Sequence, residues 1–284
     1  MVFVCAKILF RNTQFQINER MGMHNKKNLR QLLYNRKNCL IGTLAHLPCK
    51  DTLEVLGYAG FDFVIIDTEH SAISAESSID YIRAAESADL LPLVRVPELD
   101  DATAIRKVLD NGAAGIVVPG ICTAEQAKQA VAMAKFAPEG TRGACPMVRA
   151  NQFYVFGSND HYLRSNMQTA VMLLVEGKKG IENFDEILKV PGVDAIFLGP
   201  VDMAVSMGYN GDPRHPAVVE QIKVMIKKSN KASIPIGTTA ADAKGAAEWA
   251  RIGVDFILVS CDLMMYVKQA NDTLNETRML LKEI

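Results

Sequence analysis

Four short stretches of the chain carry side chains able to hold a cation and move protons: Asp67-Thr68-Glu69-His70, Arg95, Glu176 and Gly199-Pro200-Val201-Asp202. Each lies at the end of an apolar run. Two carboxylates from neighbouring runs, Glu176 and Asp202, suit a hard divalent cation, which takes oxygen ligands and keeps exchangeable waters, so Mg2+ or Mn2+ is the natural candidate. Taken singly, Glu176 reads as well as a helix-starting acid and Asp202 as an N-cap. Their joint placement is what points to chemistry. His70 has Asp67 and Glu69 beside it, partners able to fix its tautomer and raise its basicity for acid–base work. Arg95 emerges from the apolar stretch PLVRV, where an unpaired charge is costly. It either pairs with an internal acid or forks onto a substrate carboxylate.

Something must bring these stretches together. From residue 38 onward, runs rich in Val, Ile, Leu and Phe alternate with longer amphipathic segments, the pattern of repeated βα units with a parallel sheet. There are eight such runs, at 39–45, 63–67, 91–96, 114–119, 170–176, 195–200, 234–239 and 256–260. Between them, ISAESSIDYIRAAESA, DATAIRKVLDNG and TAEQAKQAVAMAKFA place apolar residues at helical spacing. In GYAGFDFVIID, DNGAAGIVVP and ARIGVDFILVS a glycine stands between helix and strand, as expected where glycine ends a helix in the left-handed conformation. Eight similar units predict a (β/α)8 TIM barrel, whose active site lies at the carboxyl ends of its strands. An open doubly wound sheet would want a GxGxxG turn after the first strand, and GTLAHLPCK supplies none. The span 139–169 is longer than an ordinary connection, an excess that usually serves function or assembly.

The composition is that of an ordinary globular enzyme: 49% hydrophobic, 22% charged, net charge −1, which offers no attraction to nucleic acid. Six cysteines are scattered without a CxxC pair, and no run approaches the roughly 20 residues that cross a bilayer. Reduced thiols, a cytoplasmic location and no membrane partner are the expectation. Residues 1–22 do not share the later pattern and read as a flexible N-terminal extension. Residues 23–284 then form a single barrel domain, with NLRQLL as its first helix.

The stretches FDFVIIDTEH, PLVRVPELD, GAAGIVVPGICTAEQA, FAPEGTRG, LLVEGKKGIENFDEIL and VDAIFLGPVDMAVSMGYNGDPRHP resemble the HpcH/HpaI aldolase family, in order and with similar spacing, over roughly residues 28 to 275. The resemblance implies a divalent-metal aldolase that forms and uses the enolate of pyruvate, cleaving or forming 4-hydroxy-2-oxo acids. Mg2+ or Mn2+ would serve, with Co2+ as a further candidate. It implies Glu176 and Asp202 as metal ligands, Arg95 as the group that polarises the keto oxygen, His70 as acid/base and Asp67 as its support. The backbone of Gly199, Pro200, Val201 and Asp202 would hold the substrate carboxylate. Asp110 matches an acid contributed across a subunit interface. The partners implied are a small 2-oxo acid, an aldehyde and further copies of the chain, in a trimer or hexamer whose last helix is exchanged between subunits.

Departures from the family pattern are Leu174, where glutamine is usual, Gly177, where threonine is common, and RGACPMVRAN after the Arg-Gly pair. They border the expected keto-acid pocket and bear on the choice of substrate. Cys145 reads as buried and apolar rather than reactive. A Schiff-base aldolase would need a lysine inside the barrel, and none of the eight runs has one; Lys178 and Lys179 lie in a solvated turn. A phosphosugar enzyme would want a Gly-rich cradle after the last two strands, which GTTAADAKG and VSCDLMMY do not provide. The remaining alternatives are a decarboxylase of oxaloacetate-like acids, an acyl-CoA lyase of the citrate-lyase β type and a catalytically degenerate barrel.

Overall fold

Alternation along each strand decides which side chains meet at the barrel axis. The computed structural model describes residues 28–35, 38–157 and 160–283. The extension expected over residues 1–22 lies outside the described residues. A first helix, α1 (Leu29–Asn35), precedes β1 (Leu40–Ala45), α2 (Asp51–Tyr58), β2 (Phe63–Asp67), α3 (Ser78–Ser87) and β3 (Leu91–Arg95). Then come α4 (Ala102–Asp110), β4 (Gly115–Val118), α5 (Ala124–Ala134), a 3-10 turn (Arg149–Tyr154), α6 (His161–Gln168) and β5 (Ala170–Val175). The rest is α7 (Lys178–Glu182), α8 (Phe184–Ile187), β6 (Ala195–Leu198), α9 (Pro200–Ser206), α10 (Pro216–Ala232), β7 (Ile236–Ala240), α11 (Ala243–Ile252), β8 (Phe256–Cys261) and α12 (Asp262–Leu281). All eight strands pair in parallel, in sequence order, and β8 closes on β1.

One parity of each strand points inward. Leu40, Phe63, Ile65, Leu91, Leu93, Val117, Met172, Leu174, Phe197, Phe256 and Leu258 form a single buried cluster along the axis, joined by Leu29 and Leu33 of α1. The opposite parity, including Val64, Ile66, Val94, Ile116, Val118 and Leu173, packs outward against helix residues such as Leu53, Ile82, Ile105 and Ile222. Bulky inner residues require bare ones opposite: a Cβ on Gly42 would stand 2.3 Å from the Phe63 ring, and one on Gly237 would stand 2.4 Å from the Phe256 ring. The glycines that end α2, α4 and α11, Gly60, Gly112 and Gly253, all take positive φ (95°, 101° and 108°), as their sequence context predicts.

The long connection before β5 folds around buried polar groups. Lys135 Nζ donates to the Asn166 and Thr169 carbonyls at 2.7 Å each, and Arg142 stacks over Phe136 while binding Asp110 at 2.6 Å. Cys145, expected to be buried, is exposed, because the segment carrying it runs over the surface as irregular chain. The final helix buries only Asp262, leaving Leu263, Met264, Tyr266 and Leu274 exposed.

Candidate active site

The inward parity continues past the last strand residues, and this is what assembles the site. Phe63-Ile65 leads to Asp67, Leu91-Leu93 to Arg95, Met172-Leu174 to Glu176, and Phe197 to Gly199. On β1 the same step from Leu44 leads to His46.

Asp67 is fully buried and lies at the centre of an ionic network. Arg95 grips it with two nitrogens, Nε donating to Oδ1 at 2.9 Å and Nη2 to Oδ2 at 2.7 Å. Of the two readings open for Arg95, pairing with an internal acid is the one observed. Its Nη1 lies 3.1 Å from Glu69 Oε2. His46 Nε2 stands 2.9 Å from Asp67 Oδ2. Burial favours the neutral acid at Asp67, but His46 and Arg95 outweigh it and hold the carboxyl well below the usual range. The hydrogen bond to Asp67 first, and then the Cys261 side chain, push His46 up to about 9 against the opposing effect of burial.

His70 is placed differently from its sequence reading. Asp67 Oδ1 accepts from the backbone N–H groups of Glu69 (3.0 Å) and His70 (3.3 Å), an Asx-type turn, and does not touch the His70 ring. The acid beside that ring is Glu69, at 3.7 Å from Nε2, and the ring is largely exposed at the mouth of the barrel. Thr68 fixes the strand end from below, its hydroxyl donating to the Arg95 carbonyl at 2.6 Å.

Glu176 is held through one oxygen and fitted closely at the other. Oε1 accepts from Gly120 N–H at 3.1 Å, and Gly120 holds φ +65°, a conformation that favours glycine. Oε2 lies against Gly199, where an added Cβ would come within 2.8 Å. Burial first, and then the charge of Asp202, push the Glu176 carboxyl up to about 7, with Glu69 adding to the rise and Arg95 opposing it. Asp202, read from sequence as a metal ligand with an N-cap as the structural alternative, is not the N-cap but lies in the first turn of α9, whose N-cap is Gly199 and whose first residue is Pro200. The first-turn amides of Val201 and Asp202 have no partner within the helix. Leu174 lies inside the barrel with its Cδ1 3.4 Å from the space a Gly199 side chain would fill, so this departure from the family pattern does border Glu176. Lys178 and Lys179 point to solvent.

Asp110 does not join this group. It ends α4, at the opposite end of the barrel, where it binds Arg142. Sequence reading missed His46, although its position one residue beyond β1 is the same signal that marks the other strand-end groups.

A closed eight-stranded parallel barrel with its acids, arginine and histidines gathered at the strand carboxyl ends has the layout of a (β/α)8 enzyme. The HpcH/HpaI aldolase/citrate lyase family model matches residues 45–269, and the chain belongs to this family; it is a carbon–carbon lyase. A 5-keto-4-deoxy-D-glucarate aldolase from Escherichia coli O139:H28 (strain E24377A / ETEC) is 34% identical over 244 residues, covering 85% of this chain and 93% of the relative. Among solved structures, a family member from Burkholderia cenocepacia J2315 matches with a TM-score of 0.83 and 32% identity over 88% of this chain and 98% of that one. The citrate synthase SbnG matches with a TM-score of 0.80 and 28% identity over 90% and 99%.

Proposed function

We propose that the chain is a divalent-metal-dependent aldolase that cleaves or forms 4-hydroxy-2-oxo acids, with pyruvate as the product that passes through its enolate. One observation carries this reading: Glu176, at the end of its strand, has Oε1 on the Gly120 N–H and Oε2 against Gly199, the N-cap of the helix whose first turn carries Asp202. Two acids so placed call for a counter-cation, and an all-oxygen pair fits Mg2+ or Mn2+, with Co2+ also suited. When bound, such an ion supplies Lewis-acid polarisation of the 2-oxo group.

The chain's own groups do the rest. Arg95, locked by Asp67 and Glu69, presents a fixed positive charge where the keto oxygen becomes negative, so little reorganisation is needed as that charge grows. The Val201 and Asp202 amides bind the substrate carboxylate at the start of α9. His70, exposed at the mouth, takes the proton from the C4 hydroxyl as the C3–C4 bond breaks. The aldehyde leaves, and return of a proton to C3 of the enolate gives pyruvate. Asp67 acts by positioning Arg95 and the Glu69-His70 turn.

The likeness to a 5-keto-4-deoxy-D-glucarate aldolase makes polyhydroxylated 2-oxo acids the first substrates to test. Pyruvate release should require a divalent ion and stop with EDTA; turnover surviving complete chelation rejects the metal, and release of CO2 without an aldehyde makes the enzyme a decarboxylase. Free thiols and the lack of a membrane-crossing helix among the described residues support a cytoplasmic enzyme. The uncovered apolar side chains of α12 support its docking on a neighbouring copy, with Asp110 serving that copy's site. A monomer in light scattering overturns the oligomer.

A further inference from the structure

A second set of metal-ligating side chains meets where β1 and β8 close the barrel. A ring nitrogen of His46, Cys261 Sγ and a carboxylate oxygen of Asp262 lie within 4.8 Å of one another. They are brought together by an irregularity in the closing seam. Gly42 pairs with Leu258, but Leu44 pairs with Cys261, so β8 carries one extra residue. Ser260 takes φ +58° there, and the buried Thr43 hydroxyl is placed to donate to the Val259 (3.0 Å) and Ser260 (3.2 Å) carbonyls that the bulge displaces. Bulges of this kind re-aim side chains near active sites.

Each candidate ligand is held ready. Asp262 Oδ1 accepts from the backbone N–H groups of His46 (2.8 Å) and Leu263 (2.7 Å), while Oδ2 has only the longer contacts to Leu47 N–H (3.2 Å) and the Thr52 hydroxyl (3.4 Å). His46 has its Nε2 on Asp67, and its buried Nδ1 makes no hydrogen bond of ordinary length, although the Cys261 side chain acts on the ring from close by. A metal-bound histidine typically donates its other ring N–H to a carboxylate in this way. Cys261 and His46 both remain partly exposed, so water can complete a fourth position.

We propose that His46 Nδ1, Cys261 Sγ and Asp262 Oδ2 form a second cation site, selective for Zn2+ over Mg2+. The donor set of nitrogen, sulfur and oxygen suits a borderline ion in tetrahedral geometry, whereas Mg2+ wants six oxygens. Ligand atoms around tetrahedral zinc stand roughly 3.5 Å apart, so groups that lie within 4.8 Å of one another need to close by up to about 1.3 Å. Ligation releases the protons on the thiol and on Nδ1. An ion here sits one residue from the Asp67–Arg95 pair, through His46, and so couples to the keto-acid site. The proposal is independent of the aldolase reading, because its ligands are other residues and its test reads sulfur ligation rather than turnover.

Metal-stripped protein titrated with Co2+ in the presence of excess Mg2+, which occupies the all-oxygen site, should develop a thiolate-to-cobalt charge-transfer band that saturates at one equivalent and is bleached by Zn2+. Cys261→Ser and His46→Gln should each abolish the band, while Glu176→Gln and Cys122→Ser keep it. No band, or a band that survives Cys261→Ser, overturns the site; loss in Cys122→Ser instead places the ion beside Gly120, where that thiol lies. If the variants fail to fold, the unmutated chain still decides: Zn2+ should slow alkylation of Cys261 at least tenfold and leave the exposed Cys49 and Cys145 unaffected. Equal alkylation of Cys261 with and without Zn2+ overturns it.

Discussion

Glu176 owes its position to what Gly199 lacks: Oε2 occupies space that the smallest side chain would enter, since a Cβ there would stand 2.8 Å from it. Gly199→Ala should therefore displace the carboxylate and weaken Mn2+ binding by about 10- to 100-fold, the usual cost of disturbing a ligand's support. Calorimetric titration of the metal-stripped protein measures this. Unchanged affinity would remove Glu176 from the ligand set.

Arg95 is tied to Asp67 through two hydrogen bonds as well as assigned to the substrate, so its replacement has two costs. Breaking a buried pair costs about 3–5 kcal/mol, and with His46 left as counter-charge we expect Arg95→Met to lose about 2 kcal/mol in urea unfolding. Loss of a fixed donor at a developing oxyanion should lower kcat/KM by about 10^2- to 10^3-fold. A variant that loses stability while its kcat/KM holds assigns Arg95 to the fold alone.

Glu176 also makes the metal-stripped protein sensitive to pH. Its carboxyl is raised from an ordinary 4.5 to about 7, so the native state binds the proton more tightly than the unfolded chain. The resulting stability is full below pH 4.5 and is lost as pH rises through about 7. Metal-stripped Glu176→Gln should accordingly melt higher than metal-stripped wild type above pH 7, the gap closing towards pH 4.5. A gap that widens on acidification contradicts the assigned environment.

His70 has almost no structural work to do, since its ring is exposed and only its backbone is tied to Asp67. His70→Ala should change stability by no more than about 0.5 kcal/mol, as for surface sites generally, while kcat/KM for aldol cleavage falls by about 10^2- to 10^4-fold. Retention of full activity would move the acid–base role to another group, with Glu69 the nearest.

The strands were legible because each is a compact run of mostly apolar residues between amphipathic segments, and Gly60, Gly112 and Gly253 could be placed because helix termination demands φ > 0 there. Asp67, Arg95 and Glu176 could be found because strand order alone fixes them at one end of a barrel. What could not be read is pairing between distant segments. His46 and Cys261 are 215 positions apart and meet only through a bulge at Ser260, which no local pattern announces. Likewise Asp67 sits as close to the His70 ring in sequence as to its backbone, and the turn of the chain decides that only the backbone N–H reaches it.

Leu29 and Leu33 of α1 share one packed column with Phe63, Phe197 and Phe256. Among the described residues, the axis is therefore filled from the amino end of the barrel up to Leu174. Chemistry beside Glu176 is thereby confined to the carboxyl end, and a substitution that opened the column at Leu29 or Leu33 would loosen the support beneath the site without touching it.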